Sequence, residues 1–288
     1  MSPVTRLFHL LARIPLPLMQ RLGALLGWCV WWLSPTYRRN FKAHVHAAGV
    51  AWHDARPAIA AMGSMVAELP WVWMRPHAAK LEGLVKWDGA EHFEAAMTAG
   101  KGAIILSPHL GAWEIGAQAI AEKFGPVHGP LVALFRPARK AWLEPLVANA
   151  RTRPYLDSAP TSLAGVRTLI RTLRQGGYTA ILPDQVPPQG QGVWAPFFGR
   201  EVYTMTLLAK LAQQTGAQVI LTWCERLPLG QGFCLHMRPF EAAEMRDASV
   251  SPELAAAAVN RGVESMVRDA PGQYLWGYAR DKQPRAEV

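Results

Sequence analysis

The chain reads as an α/β protein, a mixed but mostly parallel sheet flanked by helices, and three observations lead there. From about residue 81 onward, short β-forming runs alternate with helix-length amphipathic stretches. The run "AIILSP", residues 103–108, is almost wholly apolar, as expected of a buried strand. Helical patterns stop at glycine, as at Gly100 and at the Gly176–Gly177 pair.

In order, "LVKWDG" (84–89) predicts a strand and "AEHFEAAMTAGKG" (90–102) a helix. "AIILSP" is followed by a helix from about Ala112, and "LVALFR" (131–136) is a strand followed by a helix over 140–153. "SLAGVRTLIRTLRQGG" (162–177) is an amphipathic helix, and "YTAILPDQ" (178–185) returns to strand. Residues 203–225 give helix, turn and strand; "FCLHMRPFE" (233–241) is a further strand, and a last helix starts at the capping Ser251. Two loops rich in Gly and Pro follow strands: 107–113 and 182–204. The second carries Trp194, Phe197 and Phe198, which reads either as an apolar wall beside a site or as a loop folded over its own small core.

Ahead of this lies an N-terminal unit of different character. Residues 14–33, "IPLPLMQRLGALLGWCVWWL", approach the length of a bilayer span but contain Arg21, Pro15 and Pro17. Arg38, Arg39 and Lys42 follow, and no small-residue cleavage site does. This predicts an uncleaved N-terminal membrane helix, interfacial or shallowly spanning, over residues 1–36, followed by one domain over 37–288. The other reading is a buried amphipathic helix of the main domain. Further helices are expected over 38–48 and 54–74; the second carries a stripe of Ile59, Met62, Met65, Val66 and Leu69, which suits a core or an adaptable alkyl-chain site.

The net charge is +9 and half the 288 residues are hydrophobic. A basic excess points to an anionic partner: nucleic acid, a membrane surface or an acidic protein. Six of the 12 tryptophans lie between residues 28 and 73, and Trp favours membrane interfaces. No basic run interleaved with aromatics accompanies the charge, so nucleic acid is the weakest of the three. Cys29, Cys224 and Cys234 have no metal-ligand spacing and read as free thiols in a reducing compartment; no metal site is expected.

The chemistry centres on "SPHLGAWEIG", residues 107–116. His109 and Glu114, with four residues between them, sit at a strand end running into a helix, where open α/β sheets place their sites. A carboxylate folded back onto a ring N–H fixes the tautomer and stabilises the imidazolium, leaving the other nitrogen to accept a proton. A substrate hydroxyl then serves as nucleophile. Gly-x-Ser-x-Gly, Gly-x-Gly-x-x-Gly, phosphate-loop and His-Glu-x-x-His patterns are all absent.

The same segment resembles the His-x4-Asp/Glu signature of glycerolipid acyltransferases. With Glu in the acidic position, it is most similar to the bacterial lipid A (lauroyl/myristoyl) acyltransferases. "ALFRP" (133–137), "LRQGGYTAILPDQ" (173–185) and "WAPFFGREVYTMTLLAKLAQQTGAQVI" (194–220) resemble that family's later blocks in order, so the likeness spans roughly residues 5–280. The "ARKAWLEP" after Arg136-Pro137 departs from the family's Asn-rich text and bears on substrate preference.

The resemblance implies a glycerol-3-phosphate acyltransferase-like fold and transfer of a fatty acyl chain from phosphopantetheinylated acyl carrier protein to a hydroxyl of a lipid A precursor. It requires no other cofactor; the Trp-rich N-terminal helix and its Arg38, Arg39 and Lys42 flank predict the cytoplasmic face of the inner membrane. His109 is then the general base and Glu114 its orienting partner. Arg136 binds phosphate, Asp184 assists, and Phe197, Phe198, Gly199 and Thr204 contribute to substrate binding. The alternatives are another acceptor (a lysophospholipid, ornithine lipid or glycolipid) or a non-catalytic lipid-binding membrane protein.

Overall fold

A computed structural model describes residues 3–135 and 153–286. Its centre is a seven-stranded sheet: β1 (Val85–Asp88), β2 (Ala103–Leu106), β3 (Leu131–Phe135), β4 (Leu156–Pro160), β5 (Tyr178–Ile181), β8 (Gln218–Arg226) and β9 (Phe233–Pro239). The spatial order is β1-β9-β8-β2-β5-β3-β4. All neighbours run parallel except the antiparallel pair β8–β9. The α/β expectation therefore holds, and β4 is a strand the sequence pattern did not reveal. Its "LDSAP" has neither alternation nor an apolar run, and it forms by pairing with β3 at the sheet edge.

β2 shows why the sheet needs helices on both faces. Ile104 and Leu106 pack into one core with Leu169 and Leu208, whereas Ala103 and Ile105 pack into the other with Ile115 and Phe124. Successive strand side chains point to opposite faces, so a strand apolar at every position must be covered twice. Helices α6 (Ala90–Thr98) and α7 (Trp113–His128) cover the second face. α8 (Leu163–Arg174), α9 (Leu207–Thr215) and α10 (Pro252–Asp269) cover the first.

The N-terminal unit differs from the single helix expected over residues 1–36. It forms α1 (Pro3–Leu11) and α2 (Leu16–Leu33), separated at Pro15, which has no N–H to continue a helical ladder. Among the described residues, no helix is long and apolar enough to cross a membrane, so the spanning alternative has no support. After α3 (Pro35–Ala47) and α4 (Trp52–Ala55), α5 (Ala58–Met74) packs tightly on α2. A Cβ on Gly27 would lie 2.1 Å from the Ile59 carbonyl oxygen, and one on Gly63 would lie 2.0 Å from that of Gly23. A buried network locks the pair to the sheet. Arg226 on β8 grips Glu68 through Nε and a terminal nitrogen, each 2.6 Å away, and Gln20 donates to Glu68 at 2.7 Å. The helix stripe behaves as core at Ile59 and Met62, while Val66 is exposed.

Loop 182–204 is also more ordered than its composition suggests. It contains most of a hairpin of β6 (Gly192–Phe197) and β7 (Arg200–Met205). At its turn, Phe198 has φ 47° and Gly199 φ 71°. A bulky residue at positive φ is held only by strong surroundings. The Phe198 ring is buried against Phe197 and Trp276, and its N–H donates to Glu264 at 2.7 Å.

Candidate active site

β2 and β5 are neighbours in the middle of the sheet, with Leu106 opposite Ile181. Three residues beyond each lie His109 and Asp184, so the strand register delivers the two side chains to one place. The Asp184 carboxylate accepts the His109 backbone N–H at Oδ2 (2.9 Å) and the ring Nδ1–H at Oδ1 (2.7 Å). The side chains are 15% and 2% exposed respectively, so the pair is dry while the ring keeps an open edge. With Nδ1 donating, Nε2 carries the lone pair, and the Gln185 amide nitrogen approaches it at 3.0 Å as a donor. Trp113 meets the imidazole edge-on at 4.9 Å.

Burial by itself would raise the Asp184 carboxyl. The His109 charge, the two hydrogen bonds from His109 and the nearby Arg280 outweigh it and hold the group below its ordinary 3.8. The neighbouring Tyr274 phenol is fully buried, and burial followed by the Asp184 charge pushes it well above 10, so it stays protonated. Arg280 is lowered by burial despite the nearby Asp184 carboxylate. It is fixed by donating to the Tyr203 carbonyl (2.6 Å) and to Thr204 Oγ1 (2.9 Å).

This geometry corrects one expected role. Glu114 does not orient the His109 ring: Asp184 occupies that position. Glu114 lies in the first turn of α7 and accepts a hydrogen bond from Trp73 Nε1 on α5 at 3.3 Å. Of the two readings of the aromatic loop, the structure bears out burial, though in the main core rather than in a core of its own: Phe197 and Phe198 are buried there and line a small cavity with Tyr274 and Arg280, while Trp194 is exposed. Thr204 is fully buried, bonded to Asn260 and Arg280, which makes it a support of the Asp184 surroundings. Gly199 is exposed at the hairpin turn. Arg136 and most of the helix expected over 140–153 lie outside the described residues.

Gln185, Tyr274 and Arg280 were missed by sequence reasoning. Gln185 follows Asp184 directly and was within the quoted "PDQ", so its neighbourhood was the available signal. Arg280 carries no local signal, because it reaches the site from beyond the last helix. Gly111 has a defined task in the "HLGAW" turn. At φ 67° a Cβ would fall 2.0 Å from the Cys224 carbonyl oxygen, which accepts the Ala112 N–H at 2.7 Å. Only glycine lets the chain pass β8 this closely on its way from His109 into α7.

Fold and site together define a class: an α/β protein with a histidine–carboxylate pair at the C-terminal ends of adjacent central strands. The sequence profile of the bacterial lipid A biosynthesis acyltransferases matches residues 5–282, and the chain belongs to that family. It is 27% identical over 222 residues to the lipid A biosynthesis lauroyltransferase of Escherichia coli, covering 77% of this chain and 68% of that one. A lipid A biosynthesis acyltransferase of Haemophilus influenzae is 26% identical over 275 residues, covering 93% and 82%. A phosphatidylinositol mannoside acyltransferase of Mycobacterium tuberculosis is 27% identical over 172 residues, covering 58% and 52%.

Proposed function

We propose that this enzyme transfers a fatty acyl chain from acyl carrier protein to a hydroxyl of a lipid A precursor in lipopolysaccharide biosynthesis, with His109 as general base. The observation that carries the mechanism is the His109–Asp184 pair. Asp184 holds Nδ1–H, which leaves Nε2 with its lone pair against the Gln185 amide and stabilises the imidazolium once a proton arrives. The acceptor hydroxyl displaces the Gln185 amide from Nε2, gives up its proton there and attacks the thioester carbonyl. The tetrahedral intermediate collapses, the ester C–O bond replaces the C–S bond, and the imidazolium returns its proton to the departing thiolate.

The charge of +9 supports both partners, since acyl carrier protein is acidic and lipid A precursors carry phosphates. Arg136 is the proposed phosphate ligand, by resemblance. The exposed apolar side of α2, with Leu18, Leu22, Leu25, Leu26 and Leu33, supports a place on the cytoplasmic face of the inner membrane, lying on the bilayer. The likeness to the mycobacterial enzyme supports one second reading, a phosphorylated glycolipid acceptor of another kind.

The test is a matrix of acyl transfer rates: acyl carrier protein thioester against the coenzyme A thioester, and lipid A precursor against phosphatidylinositol mannoside. The carrier-protein thioester and the lipid A precursor should give the highest kcat/KM. His109→Ala should lose about 10²–10⁴-fold with the fold intact by circular dichroism. A folded His109→Ala enzyme at near-normal rate ends the general-base reading, and a preference for the mannoside moves the acceptor.

A further inference from the structure

The end of α2, together with α3 and α4, frames an open groove of about 910 Å³ that no catalytic step uses. Trp28, Trp31 and Trp52 form much of its wall, Arg38, Lys42 and Arg56 supply its charge, and no carboxylate lines it among the described residues. The aromatic wall is anchored from within: Trp31 is buried, meets Phe41 edge-on at 5.4 Å and lies 5.6 Å from Trp52. The cations rest on the rings. Lys42 Nζ is 5.9 Å from the Trp31 centroid, and the Arg56 guanidinium is 5.2 Å from that of Trp28. Arg38 donates to the Trp31 and Trp32 carbonyls, at 3.1 and 3.4 Å, capping the last turn of α2. Lys42 and Arg56 are exposed and have no acidic partner among the described residues.

We propose that this groove binds the phosphate headgroup of an anionic glycerophospholipid from the bilayer. Three cations that line one groove, with no carboxylate among its described lining, suit a phosphate, and the ring faces hold the two exposed cations in place. The apolar rim selects a lipid over an acidic protein. Val30, Trp32 and Leu33 are exposed on the same end of α2, so a phosphate in the groove leaves its acyl chains beside apolar side chains. Tryptophan is suited to that boundary, where one part of the ring is apolar and its N–H wet. The site is separate from the His109–Asp184 pair and does not depend on its chemistry.

The experiment measures binding of the full-length protein to vesicles of phosphatidylcholine alone and of phosphatidylcholine with phosphatidylglycerol. The wild type should bind both and prefer the second. Lys42→Gln/Arg56→Gln should reduce binding to the phosphatidylglycerol vesicles by about 10- to 30-fold, as expected for two interfacial charges, and leave the neutral vesicles unaffected. Lys42→Arg/Arg56→Lys should retain the preference, and circular dichroism should match across all variants. The control Arg171→Gln/Arg174→Gln removes two charges on α8, outside the groove. An equal loss in that control would reduce the effect to net charge and overturn the site, as would an unchanged preference in the groove variant. A groove variant that keeps its vesicle preference but loses affinity for acyl carrier protein would assign the groove to a protein instead. Binding to neutral vesicles with no anionic preference sinks this site alone, whereas binding to neither kind sinks the bilayer location as well.

Discussion

At the β2–β5 end of the sheet, polar side chains are held by polar partners: His109 by Asp184, Asp184 by Arg280 and Tyr274, Arg280 by Thr204. Along α2 the arrangement is inverted, with Leu22, Leu25 and Leu26 exposed while glycines face inward against α5. In the first region, position is set by strand register and secured by hydrogen bonds, so small chemical changes act strongly. In the second, position is set by backbone contact through Gly23, Gly27 and Gly63, and the outer side chains are free to serve a surface. The lesson is that polar groups inside and apolar groups outside each mark function, and that they tolerate substitution very differently.

The sharpest way to break this comparison is at the carboxylates. Asp184→Asn keeps the shape but removes the charge that stabilises the imidazolium and the acceptor that selects its tautomer, so kcat should fall at least about 100-fold with KM little changed. Glu114→Gln should lose less, because Glu114 contacts Trp73 rather than the ring. Equal losses in both would return Glu114 to the ring's own partnership.

On the helix side, Gly27→Ala should lower stability by about 1–3 kcal/mol, read as a shift in denaturant midpoint, because its Cβ meets the Ile59 carbonyl. A neutral outcome would mean that the α2–α5 contact is adjustable. A smaller effect concerns acid. The Asp184 carboxyl is held below 3.8 in the fold, so the native state binds fewer protons than the unfolded chain, and its contribution is present above the unfolded value. That contribution fades as pH falls through the folded value. The difference in melting temperature between wild type and Asp184→Asn should therefore narrow on acidification below about pH 4. A difference that stays constant down to the acid limit would remove the linkage. The smallest stability effect belongs to Leu22→Ser/Leu26→Ser, within about 0.5 kcal/mol per site for exposed positions. The same variant should bind neutral vesicles more weakly. If it instead unfolds the protein, the outer face of α2 is structural.

Much was legible without coordinates because it is local. Apolar runs such as "AIILSP" name a strand buried on two faces, Ser251 names a helix start, and "SPHLGAWEIG" combines a strand end, a histidine and a turn glycine. The edge strand β4 escaped because its pairing with β3 rather than its composition makes it a strand. The place of Phe197 and Phe198 stayed open between two readings because a Gly- and Pro-rich stretch says nothing of the core its aromatics reach.

By itself the sequence determined the alternation of strands and helices, the excess of positive charge, the concentration of tryptophan near the N-terminus and the histidine at a strand end, since each depends on neighbouring residues alone. Tertiary structure decided which carboxylate serves that histidine. Glu114 is close along the chain, but a helix begins between the two residues and carries its carboxylate to Trp73. Asp184 is 75 residues away, yet parallel pairing of β2 with β5 sets it 2.7 Å from the ring. Hydrogen-bond register across a sheet is a property of two strands at once, and only folding can set it.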